Sequence, residues 1–218
     1  MKIGIIGAGN IGGNLTRRFT ALGHEVQVAN SRGPQTLAEL ASETGAKPVS
    51  VEHAADGASV VIVTIPEFKV PELPKGFLDG AAPDAVIVDT GNYYPQRDGK
   101  LEDIENGTTE SRWVANTIGR PVVKAFNGIY AQHLLDKGLP KGTVGRIALP
   151  IAGDDAKAKS VVMSLVDELG FDPVDAGSID ESWRQQPGSP VYGKDFDAAG
   201  VKRALGEASP ERGPEWRA

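Results

Sequence analysis

Gly7, Gly9 and Gly12 are spaced as G-x-G-x-x-G, with Ala8, Asn10 and Ile11 between them, directly behind the apolar run Ile3-Gly4-Ile5-Ile6. A stretch of helical character follows as far as Leu22. In that setting a buried strand aims the turn. The helix beyond it offers unpaired N–H groups and a partial positive charge to an anion. The three glycines do different things. Gly7 permits the tight turn, Gly9 lets backbone approach a pyrophosphate, and Gly12 lets helix and strand pack closely. Gly7, Gly9, Asn10, Ile11 and Gly12 are therefore expected to hold the diphosphate of a dinucleotide.

The end of the next strand says which dinucleotide. Glu25-Val26-Gln27-Val28-Ala29 reads as that strand and leads into Asn30-Ser31-Arg32-Gly33-Pro34, about twenty residues beyond the glycines, where an NAD site carries Asp or Glu for the ribose 2′-hydroxyl. Here there is no carboxylate. Asn30 and Ser31 can donate hydrogen bonds to a phosphate, and Arg32 presents a charged planar fork that matches phosphate oxygens. NADP(H) is the expected cofactor. The competing reading gives Asn30 and Ser31 only a helix-capping role, with Arg32 a solvated surface charge.

Elements on either side must position these residues. Ser59 to Pro66 is a nearly continuous apolar run, which predicts a strand buried on both faces of a parallel sheet. Pro66 ends it, so Thr64, Ile65 and Pro66 fall at the carboxyl edge, where ligands of open α/β sheets bind. They are expected beside the ribose and nicotinamide. Ala85 to Asp89 reads as another such strand. The loop after it brings Gly91, Asn92 and Tyr93 to the same edge, Gly91 for close approach and the other two for polar contacts or an aromatic wall. Pro34 to Thr44 reads as a helix ended by Gly45, and Pro48 to Val51 as a short strand. Prolines between Glu67 and Pro83 keep any helix there short or broken. Thr108 to Ile118 reads as helix and Val122 to Asn127 as the last strand of the main sheet. Beyond Gly145, Arg146 to Gly153 reads as a strand, Ala156 to Leu169 as a helix capped by Asp154, and Phe171 to Gly177 as a further extended segment. One more helix is expected near Ala198 to Ala208, then a tail from Ser209 to Ala218, flexible or laid on a partner subunit. The pattern is α/β: a Rossmann-type doubly wound parallel sheet with a small C-terminal α/β appendage.

Composition narrows the chemistry. Of 218 residues, 40% are hydrophobic and 24% charged, enough to bury a sizeable core. The net charge of −6 and the absence of a basic stripe argue against a nucleic-acid partner. With no cysteine in the chain, disulfides, thiolate metal sites and a Cys nucleophile are excluded. His24, His53 and His133 are too dispersed for a metal cluster, so no metal is expected. The first strand begins at Lys2 and no apolar run is long enough to span a bilayer, so a cytoplasmic location and no membrane contact are expected.

The glycine turn, the Asn30-Ser31-Arg32 loop, the Val63-Thr64-Ile65-Pro66 edge, the block Ala152-Gly153-Asp154-Asp155 through Leu165, and Val174-Asp175-Ala176-Gly177 together resemble the NADP oxidoreductases that use coenzyme F420. The resemblance extends from Met1 to about Gly177. It implies a Rossmann domain over residues 1–143 and a small C-terminal domain and tail over 144–218. Hydride would pass between the nicotinamide C4 and the deazaflavin C5, with the rings stacked in a cleft between domains of a homodimer. The chain is also similar to the cytoplasmic oxidoreductase domain of the six-transmembrane metalloreductases, through Val122-Val123-Lys124-Ala125-Phe126-Asn127, and its N-terminal part resembles pyrroline-carboxylate reductases. It departs from the deazaflavin-dependent pattern at Phe126-Asn127-Gly128-Ile129-Tyr130, where a His-containing stretch is expected, and at the polar segment Ser182 to Gly188.

Direct hydride transfer demands orientation and exclusion of water more than acid–base chemistry. The sequence offers no Ser/His/Asp set, no Tyr-x-x-x-Lys pair and no metal spacing, so no catalytic residue is assigned. Tyr93, Asn127, Tyr130 and His133, with Lys124, are expected to line the pocket of a small-molecule redox acceptor, coenzyme F420 or a flavin. Trp183 either walls that site or fills the small domain's core. Two other readings are an NADPH-dependent reductase of a small imine or carbonyl, or of a metal or flavin acceptor, and a non-catalytic NADP-sensing protein that binds a partner.

Overall fold

The structure is a computed structural model and describes residues 1–218. It opens with β1 (Lys2–Ile6), α1 (Asn10–Ala21) and β2 (Glu25–Ala29). A 3-10 turn over Pro34–Leu37 runs into α2 (Ala38–Thr44), then β3 (Lys47–Pro48), β4 (Val60–Val63), a 3-10 segment Glu67–Glu72 and β5 (Val86–Asp89). Two single-turn helices, α3 (Pro95–Asp98) and α4 (Glu102–Glu105), precede α5 (Glu110–Ile118), β6 (Val123–Lys124) and α6 (Ala131–Asp136). The remainder holds β7 (Ala148–Ile151), α7 (Ala156–Glu168), β8 (Asp172–Asp175), a 3-10 segment Ile179–Gln185, α8 (Ala198–Glu207) and a last turn, Pro214–Trp216.

Six parallel strands form one sheet in the order β3-β2-β1-β4-β5-β6, and β7 and β8 pair in parallel as a second, small sheet. This is the doubly wound Rossmann arrangement with a small α/β appendage that the sequence predicts. The order reverses between β1 and β4, and ligands bind at the crevice so formed. Every residue of β4 and β5 is buried because helices cover both faces. Ile3, Ile5, Val28 and Ile62 pack on one side with Leu15, Phe19 and Leu165; Ile6, Val61, Val63 and Ile87 pack on the other with Val114. The first of these clusters also takes in Ile147, Leu149 and Phe171 from the small sheet, so one core joins the two sheets. Backbone does the same where Lys124 and Ala152 exchange hydrogen bonds of 2.8 and 3.1 Å.

Several boundaries differ from the sequence-based expectation for identifiable reasons. The strand expected over Val122 to Asn127 keeps only Val123 and Lys124, because Phe126 takes a positive φ of 62° and turns the chain. The strand expected over Pro48 to Val51 is the pair Lys47–Pro48, and Val51–His53 form a 3-10 turn. Asp155, not Asp154, caps α7, accepting from the N–H groups of Lys157 and Ala158. Asp154 instead accepts from the Ile179 N–H at 3.0 Å and meets Arg112 at 2.8 Å. The C-terminal tail lies on its own chain: Gln96 Nε2 donates to the Glu215 carbonyl at 2.6 Å, and Trp216 packs against Tyr94 with ring centroids 6.0 Å apart. No helix is long and apolar enough to cross a membrane.

Candidate active site

The glycine turn has three different kinds of space around it. Gly7 has φ +107°, and a Cβ there would strike the Thr64 carbonyl; one on Gly12 would strike the Gly7 carbonyl and the Thr64 methyl. Gly9 is extended, sits at the N-cap of α1 with no side-chain cap, and an added Cβ would meet nothing within 4 Å. So Gly7 and Gly12 are small because the fold is tight, and Gly9 fronts open space before uncapped helix N–H groups. Gly9→Val should therefore leave a folded protein, at a cost of about 1 kcal/mol at the N-cap. Its NADPH affinity should fall by roughly 100-fold, about 2.7 kcal/mol, as read by a binding titration; wild-type affinity in a folded variant would mean that no pyrophosphate approaches there.

A cavity of about 610 Å³ opens along the carboxyl edge, within the range of ligand pockets. It brings together Gly7 and Gly9, the β2 edge (Asn30, Ser31, Arg32) and the β4 edge (Thr64, Ile65, Pro66). Ser50, Glu52, Lys69 and Leu73 also line it and were not singled out from the sequence, since only the folded loops carry them there. A second cavity, about 660 Å³, lies on the other side of Arg32 and takes in Asn10, Asn14 and Arg17. Ile11 is half-buried against the core. Arg17 is held bidentately by Glu43 at 2.7 and 2.8 Å. The exposed Arg32 guanidinium has no hydrogen-bond or ion-pair partner and stands between the two cavities. Asn30 shapes its loop: its side chain binds Thr36 at 2.9 Å and accepts from the Arg32 N–H at 3.0 Å.

At the other end of the sheet edge, side-chain amides tie three segments together. Asn127 Nδ2 donates to Asn92 Oδ1 at 3.1 Å and to the Gln185 carbonyl at 2.6 Å, and Asn92 Nδ2 donates to the Asn127 carbonyl at 2.9 Å. Gln185 Nε2 returns bonds to Asn127 Oδ1 at 3.0 Å and to the Pro150 carbonyl at 3.2 Å. Phe126, buried with its left-handed backbone, directly precedes this knot; non-glycine residues held there carry strain of order 1–3 kcal/mol that the surroundings must overcome. The Tyr94 and Tyr192 hydroxyls are hydrogen-bonded to each other nearby.

Not every residue expected in the acceptor pocket faces one. Tyr93 is fully buried, with its hydroxyl donating toward the Gly99 carbonyl and Glu105, because the chain after Gly91 turns that side chain inward. Burial and the Glu105 hydrogen bond push its phenol up to about 12. Lys124 is also fully buried and paired, beneath the edge rather than on it. Tyr130 is 58% exposed, and His133 Nδ1 binds Asp195 at 2.8 Å; neither lines the two cavities. Trp183 is half-buried under the Arg184 guanidinium, 4.4 Å from its ring centroid.

Beneath the Gly91 loop lies a buried ionic cluster that residue types and spacing did not reveal. Lys124 Nζ donates to the Gly91 carbonyl at 2.6 Å and meets Asp89 at 3.3 Å and Glu110 at 3.7 Å. Asp89 accepts in addition from Ser111 at 2.6 Å and the Gly91 N–H at 2.8 Å. Arg212, from the C-terminal tail, reaches Glu110 at 2.6 Å and lies over the Tyr93 ring at 4.9 Å. Glu67, in the segment after β4, is wholly buried with neither oxygen hydrogen-bonded. Burial, then the nearby Asp89, hold its carboxyl well above the usual carboxylate range. Burial pulls the Lys124 ammonium down, but the neighbouring acids, Asp89 and then Glu110 foremost, outweigh it and the net shift is upward. The available signal was a charged residue in each of two buried neighbours, Asp89 ending β5 and Lys124 ending β6, which must pair to be tolerated.

Comparison with known proteins agrees with this geometry. A solved structure of hypothetical protein SMa0349 from Sinorhizobium meliloti is 31% identical, with TM-score 0.76 and coverage of 90% of this chain and 95% of that one. A second, named as a putative F420-dependent NADP-reductase from Arthrobacter sp. FB24, is 25% identical with TM-score 0.67, covering 84% and 87%. Metalloreductase STEAP3 from Rattus norvegicus is 28% identical over 179 residues, 82% of this chain. YjhV from Escherichia coli (strain K12) is 54% identical over 67 residues, 31% of this chain. The chain spans about half of YjhV (49%) and a third of STEAP3 (34%). Residues 2–93, the part that carries the glycine turn, the Arg32 loop and the Thr64 edge, match the family described as NADP oxidoreductase coenzyme F420-dependent.

Proposed function

We propose that the protein transfers hydride between NADP(H) and a deazaflavin, coenzyme F420, or a flavin-like acceptor. One observation carries the cofactor half: an unpartnered Arg32 guanidinium at the end of β2, where no carboxylate stands, on the same cavity as the open space at Gly9. Those residues fit the group. Arg32 and Ser31 would take the 2′-phosphate, the first-turn N–H groups of α1 the pyrophosphate, and Thr64, Ile65 and Pro66 would run beside the ribose and nicotinamide with Gly91 and Asn92 beyond. When bound, the reduced nicotinamide supplies the hydride. The chain's part is to bind, orient and exclude water, and the Asn92–Asn127–Gln185 knot holds the far end of the edge rigid for that purpose.

The acceptor half rests on the family match and on the F420-dependent name of the Arthrobacter neighbour. Residues 1–143 would hold the nucleotide and 144–218 would close over the acceptor, in a cytoplasmic homodimer whose mass sedimentation would read. Steady-state NADPH oxidation with coenzyme F420, free flavin and a cyclic imine in parallel tests the assignment. Turnover with the deazaflavin or flavin is expected. Turnover with the imine alone would move the protein to the reductases of small imines or carbonyls. Tight NADPH binding with no turnover would make it a sensor.

A further inference from the structure

Glu67 is the one buried carboxylate with neither oxygen hydrogen-bonded. Its neighbours account for their own charges. Asp89 on β5 meets Lys124 of β6 at 3.3 Å, Glu110 on α5 meets Arg212 of the tail at 2.6 Å, and Asp98 on α3 meets Arg97 at 2.6 Å. Three cations are thus matched to three carboxylates, and Glu67 is the fourth acid with no counter-charge left. In a region closed to water such a carboxyl is neutral, since an unpaired buried charge costs far more than keeping a proton. Its place in the chain ties it to the cofactor edge. It follows directly on Pro66, which lines the nucleotide cavity, and a Cβ on Gly91 would lie 2.6 Å from its Oε1.

The nicotinamide ring is neutral in NADPH and carries a positive charge in NADP⁺. Resting on the NADP(H) reading above, we infer that Glu67 makes the site sense the cofactor's redox state: the charged ring of NADP⁺ draws Glu67 to its carboxylate, so NADP⁺ binds with release of one proton more than NADPH does. On NADP⁺ binding the O–H bond of Glu67 breaks, the electron pair stays on the carboxylate and the proton passes to solvent. The sign follows from linkage. Over the pH interval between the Glu67 value in the NADP⁺ complex and that in the free protein, NADP⁺ affinity rises with pH relative to NADPH affinity.

Calorimetric titrations of the full-length protein with NADP⁺ and with NADPH, in buffers of different ionisation enthalpy and across the neutral range, test this. The expected result is more proton release with NADP⁺ than with NADPH, the 2′-phosphate contributing equally to both, and an NADP⁺-to-NADPH affinity ratio that climbs by up to about tenfold per pH unit within the interval. In Glu67→Gln the ratio should be flat. Wild-type NADP⁺ binding with no more proton release than NADPH, or the same excess from Glu67→Gln, would overturn the inference while leaving the cofactor reading intact. Failure of the wild type to bind either nucleotide would overturn the cofactor reading itself and the inference with it. Should Glu67→Gln not fold, infrared difference spectra of the wild type decide: NADP⁺ must remove a protonated-carboxyl C=O band, and its persistence contradicts the assignment.

Discussion

Lys124→Met is expected to destabilise the protein by about 3–5 kcal/mol, the usual cost of stranding a buried ion partner. Lys124 is fully buried, and its ammonium group is the shared cation for Asp89 at 3.3 Å and Glu110 at 3.7 Å. Without it Asp89 keeps Ser111 and the Gly91 N–H but loses its counter-charge, and Glu110 loses its second cation, both buried from solvent. Native domains have only about 5–15 kcal/mol in hand, so a variant this compromised should melt near ambient temperature. Denaturation followed by circular dichroism reads the effect. Asp89→Asn in the same chain should recover part of the loss, because it removes the stranded charge and keeps a Ser111 partner. A drop below about 1 kcal/mol would place the pair with weakly coupled exposed ion pairs and refute its role.

Arg32→Asp is expected to weaken NADPH binding by two orders of magnitude or more and to reverse the preference between NADPH and NADH. A charge-assisted hydrogen bond is worth about 1.5–3 kcal/mol. The substitution removes Arg32's bonds to the phosphate and adds a carboxylate that repels it, so a total of about 3 kcal/mol, over 100-fold, is a fair expectation. For NADH the same carboxylate can accept from the ribose hydroxyl, as the usual acidic residue at this strand end does. Because Arg32 is exposed and without a partner, folding should be untouched, and Tm separates binding loss from instability. Unchanged affinities for both nucleotides would leave Arg32 a solvated charge and Asn30 a loop-shaping residue, the role its bonds to Thr36 and the Arg32 N–H already give it.

How far the chain could be read depended on how local each feature is. The glycine turn was legible because its spacing follows from backbone geometry at one strand end, and β4 because four buried residues in a row leave no alternative. β6 was over-extended, since nothing in Val122 to Asn127 announces the left-handed turn at Phe126; only the knot of Asn92, Asn127 and Gln185 shows what that turn accomplishes. The α7 cap was placed one residue early because two aspartates precede the helix and either could serve. Tyr93 was assigned to the loop's open face, but which way a side chain points after Gly91 depends on backbone torsions that residue types do not specify.

The least legible features are the least local. Nothing in residue type or spacing marks Glu67 and Glu110 as buried, and only the convergence of β5, α5, β6 and the tail encloses them. Arg212 meets a partner 102 residues away, so a tail expected to be loose, or laid on a second subunit, is an internal strut. The residues that share the edge cavity were therefore readable, and the charged cluster beneath the Gly91 loop was not. That cluster also explains why Gly91 is glycine: a side chain there would crowd Glu67 and Asp89 at 2.6 and 3.0 Å.

The central claim is direct hydride transfer from the nicotinamide to the deazaflavin of coenzyme F420. It is tested most directly by NADPH deuterated at C4, in both stereochemical forms, incubated anaerobically with the protein and coenzyme F420, with the products analysed by mass spectrometry and NMR. The account predicts that one of the two labelled forms delivers its deuterium to C5 of the deazaflavin, with no loss to water. Deuterium retained wholly on the nicotinamide while the protein binds NADPH tightly, or appearing in solvent rather than in the acceptor, would contradict it.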